Sequence, residues 1–441
     1  MNIMIAGAGT VGYSLAQTLS YKHNVIVIDK NRDKLNQLDE EIDVLVLHGD
    51  SENPKTYQAL QIDSIDLFIA VTDSDEANLL STLMVEDVLS VQRKIIRLKN
   101  DSFLKSHILE KLAIDYAVFP DVTTANKVKG LFTFPKANNV KTFHQTTYKL
   151  ISIRLENITA RLSVQGLCGD TLRIVGIERN KTFFIPSSDT ELLLEGDLVY
   201  FFGNSEMIEQ TIEKLDDTMP TIIQKVVIFG ANTLAQKIAK VLLDKGLEIK
   251  MIDKNMEHCK KASEFLQGKV SIINTAHDDQ QLFEEEGLEK ADMLIAAGHN
   301  DESNIVKCIE AKEIGIKKVV AINNDKSYYP LMHKMGVVVV RGSKAGAHYA
   351  ILEKIASSSV VTQRHYCGGK GVMFMRKIYP DSLLIGQSIK KALGIESEHF
   401  LLREGKLLSF EDIHHFMQGD IVVVFGTIEI IEKMQQWIYT L

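Results

Sequence analysis

The stretch Asn2-Ile3-Met4-Ile5-Ala6-Gly7-Ala8-Gly9-Thr10-Val11-Gly12 constrains the fold more than any other part of the chain. An apolar run breaks into three glycines at G-x-G-x-x-G spacing and continues as a helical pattern, which predicts strand, tight turn and helix. Gly7 lets the chain turn sharply, Gly9 removes a side chain where a pyrophosphate must meet backbone, and Gly12 lets the helix pack close on the strand. With Ala8, Thr10 and Val11 between them, they aim a helix N-terminus at phosphate. Val11, Leu15, Ala16 and Leu19 supply the buried stripe of that helix. Asn24-Val25-Ile26-Val27-Ile28-Asp29 then returns as a second strand ending in an acid, followed by Lys30. Asp29 stands where a ribose ligand is expected, so the stretch predicts a dinucleotide or adenosine nucleotide held in a Rossmann-type crevice.

A chain of 441 residues exceeds the size at which one core keeps growing, which predicts two to four domains. Fifty basic against 58 acidic residues give a formal charge of −8, and no Lys/Arg run is long enough to track a nucleic-acid backbone. No basic, apolar leader precedes the first strand, and apolar runs such as 421–425 are strand-length, so we expect a soluble cytoplasmic protein. Cys168, Cys259, Cys308 and Cys367 are scattered without metal-ligand spacing, which predicts reduced, mostly buried thiols and no metal centre.

Along the first half, short β-branched runs at 2–6, 24–28, 43–47, 66–71 and 94–98 alternate with helical stretches, the pattern of a parallel sheet covered on both faces. Polar residues gather at the carboxyl ends of these strands: Gly49-Asp50 after the third, Thr72-Asp73-Ser74-Asp75-Glu76 after the fourth, Arg97 at the end of the fifth. That edge is where a doubly wound sheet binds its ligand. The spacing of Asp73 and Glu76 predicts a capping box, and Arg97 is placed to pair with phosphate. A short strand at 117–119 and a helix through 124–131 follow. From 148 to about 215 the pattern becomes strand-rich, a small second domain ending in Gly196-Asp197 and an apolar strand, and 216–220 reads as a linker.

After that linker the chain starts again. Lys225-Val226-Val227-Ile228-Phe229-Gly230 repeats the first strand and turn, Asp253 repeats Asp29, and Asp301-Glu302-Ser303-Asn304 stands 226 residues beyond Asp75-Glu76-Ala77-Asn78. Gly419-Asp420 repeats Gly196-Asp197 at an offset of 223. The chain is an internal duplication of a two-domain unit. We expect a Rossmann-like domain at 1–139, a small α/β (α+β) domain at 140–218, a second Rossmann-like domain at 219–360 and a second small domain at 361–441. The halves differ where chemistry matters: Gly9 becomes Asn232, Gly49-Asp50 becomes Thr275-Ala276, and Arg97 becomes Asn323. Structural features are kept and phosphate-site features are lost, which predicts one competent nucleotide site per chain.

Taken together, these motifs and their duplication resemble the tandem regulator of potassium conductance (RCK) family of bacterial Trk-type potassium uptake systems. The resemblance spans essentially the whole chain. It implies a peripheral subunit on the inner face of the cell membrane that binds NAD(H), and ATP or ADP, and assembles as a homo-oligomer, a tetrameric ring, under a potassium-translocating membrane subunit. Carried over, Gly7, Gly9 and Gly12 form the phosphate turn, Asp29 holds ribose, Asp50 and Thr72 line the adenosine side, and Arg97 approaches phosphate, with Lys30, Gly49 and Asp73 beside them. The second turn departs from members that keep glycines in both halves. Two other readings remain: an NAD-dependent oxidoreductase, or a ligand sensor for another transporter. An oxidoreductase needs a proton-transfer group facing the cofactor. The strand-rich stretch 148–215 offers no histidine, its acids Asp189, Glu191, Glu195 and Asp197 read as turn chemistry, and His48 reads as a strand-end surface residue. His414-His415 reads as solvated, and Met434 and Trp437 as the apolar face of a final helix. No catalytic residue is expected.

Overall fold

The computed structural model describes residues 1–143, 145–155, 162–186, 191–213, 215, 222–275, 280–355, 357, 360–380, 382–387 and 397–441. The expected linker at 216–220, Asp189 and Ala276 lie outside them.

β1 (Asn2–Ala6), β2 (Asn24–Asp29), β3 (Leu45–His48), β4 (Ser64–Ala70), β5 (Ser90–Arg97) and β6 (Tyr116–Val118) form a parallel sheet in the order β3-β2-β1-β4-β5-β6. The order reverses between β1 and β4, the switch point at which a doubly wound sheet opens a crevice. β7 (Asn139–Phe143), β8 (Thr146–Arg154), β9 (Leu172–Arg179), β10 (Thr182–Phe184) and β11 (Leu198–Gly203) make an antiparallel sheet, β10-β9-β11-β8-β7. The plan then repeats. β12 (Lys225–Phe229), β13 (Glu248–Asp253), β14 (Ser271–Asn274), β15 (Met293–Ala296), β16 (Lys318–Asn323) and β17 (Val338–Arg341) restore the doubly wound order β14-β13-β12-β15-β16-β17. β18 (Val361–Tyr366), β19 (Gly371–Lys377), β20 (Glu398–Arg403), β21 (Lys406–Leu408) and β22 (Ile421–Thr427) form a second antiparallel sheet. Register repeats as well: Ile3 pairs with Val25 and Leu67, and Val226 with Ile249 and Met293. The expected fold class and duplication are therefore what the chain adopts.

The chain divides into two compact units. The first is Met1–Thr124 with Gly342–Ile355, the second Ala125–Arg341 with Ala356–Leu441. In the first, Met4, Phe68 and Ile96 lie at the centre of the core, each fully shielded from solvent. The helix Ser343–Leu352 joins it from far along the sequence: His348 meets Thr18 at 3.4 Å, and Arg93 donates to the Lys354 carbonyl at 3.1 Å. In the second, the helix Pro120–Thr133 contributes Ala125, Val128 and Leu131 to the core around Val226, Ile228 and Ile238. Each doubly wound sheet thus takes a covering helix from the other half of the sequence. Such apolar side chains contribute roughly 1.5–3 kcal/mol each when fully buried.

Within the second unit the two antiparallel sheets share one core, in which Tyr200, Phe202, Tyr366 and Phe425 stack edge to face or tilted. The repeated Gly-Asp pairs have a structural explanation here. Asp197 accepts from Arg179 Nε and Nη2, each at 2.9 Å, and Asp420 accepts from Arg403 at 2.8 and 2.7 Å. Both acids are 1% exposed, so Asp197 is half of a buried bidentate pair as well as a turn residue. Three of the free cysteines are buried and Cys168 half-buried. His414 and His415 are exposed, Met434 is buried, and Trp437 packs on the core beside it. Strand β7 went unread because Val140 and Phe143 are its only apolar residues. Among the described residues no helix is long and apolar enough to cross a membrane.

Candidate functional site

The crevice opens where β1 ends. Gly7 adopts φ +111°, a conformation that L side chains rarely adopt, and a Cβ there would come within 3.0 Å of the Thr72 amide nitrogen. A Cβ on Gly12 would overlap the Gly7 carbonyl, so the helix Thr10–Leu19 reaches the strand only through glycine. Gly9 is different. It is the N-cap of that helix, makes no side-chain cap bond, and faces open space: nothing lies within 4 Å of a Cβ built there. The first-turn amides of a helix have no intrahelical partner, so this end is an anion cradle that any side chain would begin to fill. Asp29, expected as ribose ligand, holds the turn itself. Its Oδ2 accepts from the Ala8 amide at 2.6 Å and its Oδ1 from the Asn31 amide at 2.7 Å.

On one side of the turn, Lys30 Nζ lies 3.0 Å from Asp50 and 2.8 Å from Glu52. Burial pushes the Asp50 carboxyl up, but the Glu52 amide and Lys30 outweigh it and hold the group below its ordinary value. Gly49 is required because a Cβ there would press on Thr56 at 2.5 Å. On the other side, the Thr72 amide and hydroxyl both donate to Asn78 Oδ1 at 2.8 Å, while Asn78 Nδ2 donates to the carbonyls of Thr72, at 3.1 Å, and Arg97, at 2.8 Å. This amide staples the ends of β4 and β5 together. Arg97 is only 6% exposed; its Nη1 reaches Asp73 at 3.2 Å, and its Nε is buried with no hydrogen-bond partner among the described residues. Arg97 and Lys99 outweigh burial and keep the Asp73 carboxyl below its ordinary value. The expected capping box is corrected. Ser74 caps the helix Asp75–Val88, accepting from the Ala77 amide at 3.0 Å, because Asp73 is drawn to Arg97 and Asp75 to the amides of Lys99 and Asn100.

An open glycine cradle and a buried guanidinium with an unused N–H are the features a nucleotide phosphate requires, so these residues fit the implied cofactor. The structure brings all the expected turn residues to one sheet edge with Thr72, Asp73 and Arg97, and sets Lys30, Gly49 and Asp50 at the ends of the neighbouring strands β2 and β3. The residue that sequence reasoning passed over is Asn78. Its recurrence as Asn304 was the available signal.

The second half keeps the framework and closes the cradle. Gly230 has φ +109°, Ala231 and Asn255 donate their amides to Asp253 at 2.7 and 2.8 Å, and Asn304 bonds the Gly298 amide and the carbonyls of Gly298 and Ile322. Asn232, in the place of Gly9, is 7% exposed: Oδ1 caps the helix by accepting from the Ala235 amide at 3.0 Å, and Nδ2 donates to the Ala297 carbonyl at 2.6 Å. Asn323, in the place of Arg97, is fully buried.

Two stretches, 3–120 and 226–341, match the model of the TrkA-N domain family. The chain is similar, at 28% identity over 395 residues and 88% coverage of both chains, to a Trk system potassium uptake protein TrkA homolog of Archaeoglobus fulgidus. It is 22% identical to Trk system potassium uptake protein TrkA homolog 1 of Methanosarcina mazei, over 99% of this chain and 100% of the relative. Among solved structures its fold is similar to that of the GsuK channel bound to NAD, with a TM-score of 0.58 at 18% identity over 100% of this chain and 79% of the other. GsuK bound to ADP gives 0.51 at 14%, over 81% and 70%.

Proposed function

The chain belongs to the TrkA-N domain family, and from that premise we propose that it is the nucleotide-binding regulatory subunit of a Trk-type potassium uptake system. In this reading it binds one NAD(H), ATP or ADP per chain, in the first crevice. The observation that carries the proposal is the contrast between halves: open space before Gly9 and a buried Arg97 in one, Asn232 and Asn323 in the other. Near full-length likeness to proteins named for potassium uptake supports the transport role, and the GsuK structures named for bound NAD and ADP support the ligand class.

The working parts follow from the geometry. Asp29 fixes the turn so that the amides after Gly9 stay aligned, and Asn78 fixes the edge from which Arg97 projects. A bound phosphate supplies the negative charge that Asp73 supplies in its absence, so Arg97 can exchange one for the other. That exchange releases Asp73 just before the helix Asp75–Val88. Regulation requires the two arrangements to bind the nucleotide with different affinity, since a ligand of equal affinity for both shifts nothing. ATP brings more negative charge to this edge than NAD, and Arg97 is the residue that reads the difference. In this proposal the chain sits in a homo-oligomeric, tetrameric ring at the inner membrane face, gating the potassium-translocating subunit.

The test is rubidium uptake by cells carrying the intact chain or Gly9→Asp, with NADH and ATP binding to both purified proteins. Normal folding of the variant with lost binding and lost or unregulated uptake supports the proposal. Uptake that stays unchanged in the variant and in a full deletion removes the transport role.

A further inference from the structure

The second unit contains a cavity of about 230 Å³ where the two small sheets meet the edge of the second doubly wound sheet. Its charge is one-sided. Lys141 of β7, Arg154 of β8, His333 of the helix Tyr329–Lys334, Arg341 of β17 and His365 of β18 line it, and none of the described lining residues is acidic. A carboxylate beside it, Glu178 of β9, is already engaged: Oε1 accepts from Lys370 at 2.6 Å, Oε2 meets His333 at 2.5 Å, and Arg154 stands 4.0 Å away. The Arg341 guanidinium lies over the Tyr329 ring at 5.4 Å. The Lys141 side chain has no hydrogen bond or ion pair among the described residues. Burial, followed by the charges of Arg341, Arg364 and Lys127, pushes its pKa well below the ordinary lysine range. These side chains are half-buried, and desolvation and mutual repulsion both oppose holding like charges together in a partly shielded site.

Two ligand chemistries compete for this place. Glu178, His333 and Cys367 bring a carboxylate oxygen, an imidazole nitrogen and a thiol within 4.8 Å of one another, which suits a divalent metal. Electrostatics decides against it. The one acid beside the cavity is already paired with Lys370 and bonded to His333, and Lys141, Arg154 and Arg341 make the surrounding field positive. The same field attracts an anion.

We propose that this cavity is a second ligand site, specific for a compact phosphate-bearing polyanion of about the size of pyrophosphate. Pockets for drug-sized ligands run from about 300 to 1,000 Å³, so this one is scaled to a small, highly charged guest. The guest bridges β7 and β8 of the first small sheet, β17 of the second doubly wound sheet and β18 of the second small sheet, and so draws together three sheets that the duplication placed side by side. The second half, which lost its cradle at Asn232, keeps a binding role here.

The experiment is calorimetric titration of magnesium-free pyrophosphate, and separately of AMP, into the full chain and into Lys141→Met, with NADH binding as a control on the first crevice. We expect pyrophosphate to bind the full chain, to bind at least about tenfold more weakly to Lys141→Met, and NADH binding to be equal in both. Lys141→Met should melt at the same or a higher temperature, since an uncompensated ammonium is removed; a lysine with a purely structural role would lower it. Arg341→Gln is the second variant, with the same loss of pyrophosphate expected. AMP binding more tightly than pyrophosphate, with equal sensitivity to Lys141→Met, supports the site and assigns its phosphate to a nucleotide. Pyrophosphate affinity unchanged in both variants overturns the proposal. So does stabilisation of the chain by zinc alone that is lost in Cys367→Ser, which assigns the place to a metal.

Discussion

Asp29 and Asp253 do the same work in two turns of different fate, and the pair separates structure from ligand binding. Each carboxylate accepts two backbone amides, so Asp29→Asn and Asp253→Asn should each cost about 1.5–3 kcal/mol of stability, the range for hydrogen bonds to a charged group. Only Asp29→Asn should weaken NADH binding, by tenfold or more; equal loss in Asp253→Asn would place a second nucleotide in the second half. The retention of an acid at Asp253 is explained by these amide bonds. Asn232 makes the complementary case. Asn232→Gly removes a cap and the bond to Ala297, costing about 1 kcal/mol in thermal unfolding, yet titration should still find one NADH per chain because Asn323 brings no positive charge.

Among elements, the strand ends are held by side chains that local pattern does not reveal. Asn78 is 1% exposed, and its amide serves β4 and β5 at once. Asn78→Ala leaves the Thr72 amide and the Thr72 and Arg97 carbonyls without that partner, and an expected loss of about 2–4 kcal/mol is measurable by denaturant unfolding. Nucleotide affinity should fall with it, since Arg97 is then no longer held at the edge. The doubly wound sheets were legible because their strands are runs of apolar, mostly β-branched residues, and the central strands β1, β4, β12, β15 and β16 bury both faces. Strand β7 was not, because it is mostly polar. Nor was the Ser74 cap: the choice between Asp73 and Ser74 depends on where Arg97 and Lys99 come to lie, which is a property of the assembled sheet. The helix Pro120–Thr133 was readable through 124–131, whereas Ser343–Leu352 was not marked at all, and nothing in the periodicity of either says which sheet it covers.

At the scale of the whole molecule, duplication was legible from nearly constant offsets, whereas the division into units that cut across it was not. The two units should also answer acid differently. In the first, burial and the nearby amino terminus push His23 down to about 4 from an ordinary 6.5. The unfolded chain therefore takes up a proton between pH 6.5 and 4 that the folded chain refuses, so stability falls through that window and levels off below it. In the second, burial pushes the Glu178 carboxyl up, but the bonds from His333 and Lys370 prevail and hold it near 2, against an ordinary 4.5. Its contribution is present in full above 4.5 and is lost as pH falls toward 2. Each shift corresponds to about 3 kcal/mol. Amide-exchange protection in β1 and β2 should weaken first, from pH 6.5 downward, while β9 and β19 keep theirs until the pH drops below 4.5. His23→Asn should flatten the first response and leave the second, and Glu178→Gln should do the reverse. A single transition shared by all four strands and indifferent to both substitutions would mean that neither group governs acid stability, and that the two units unfold as one.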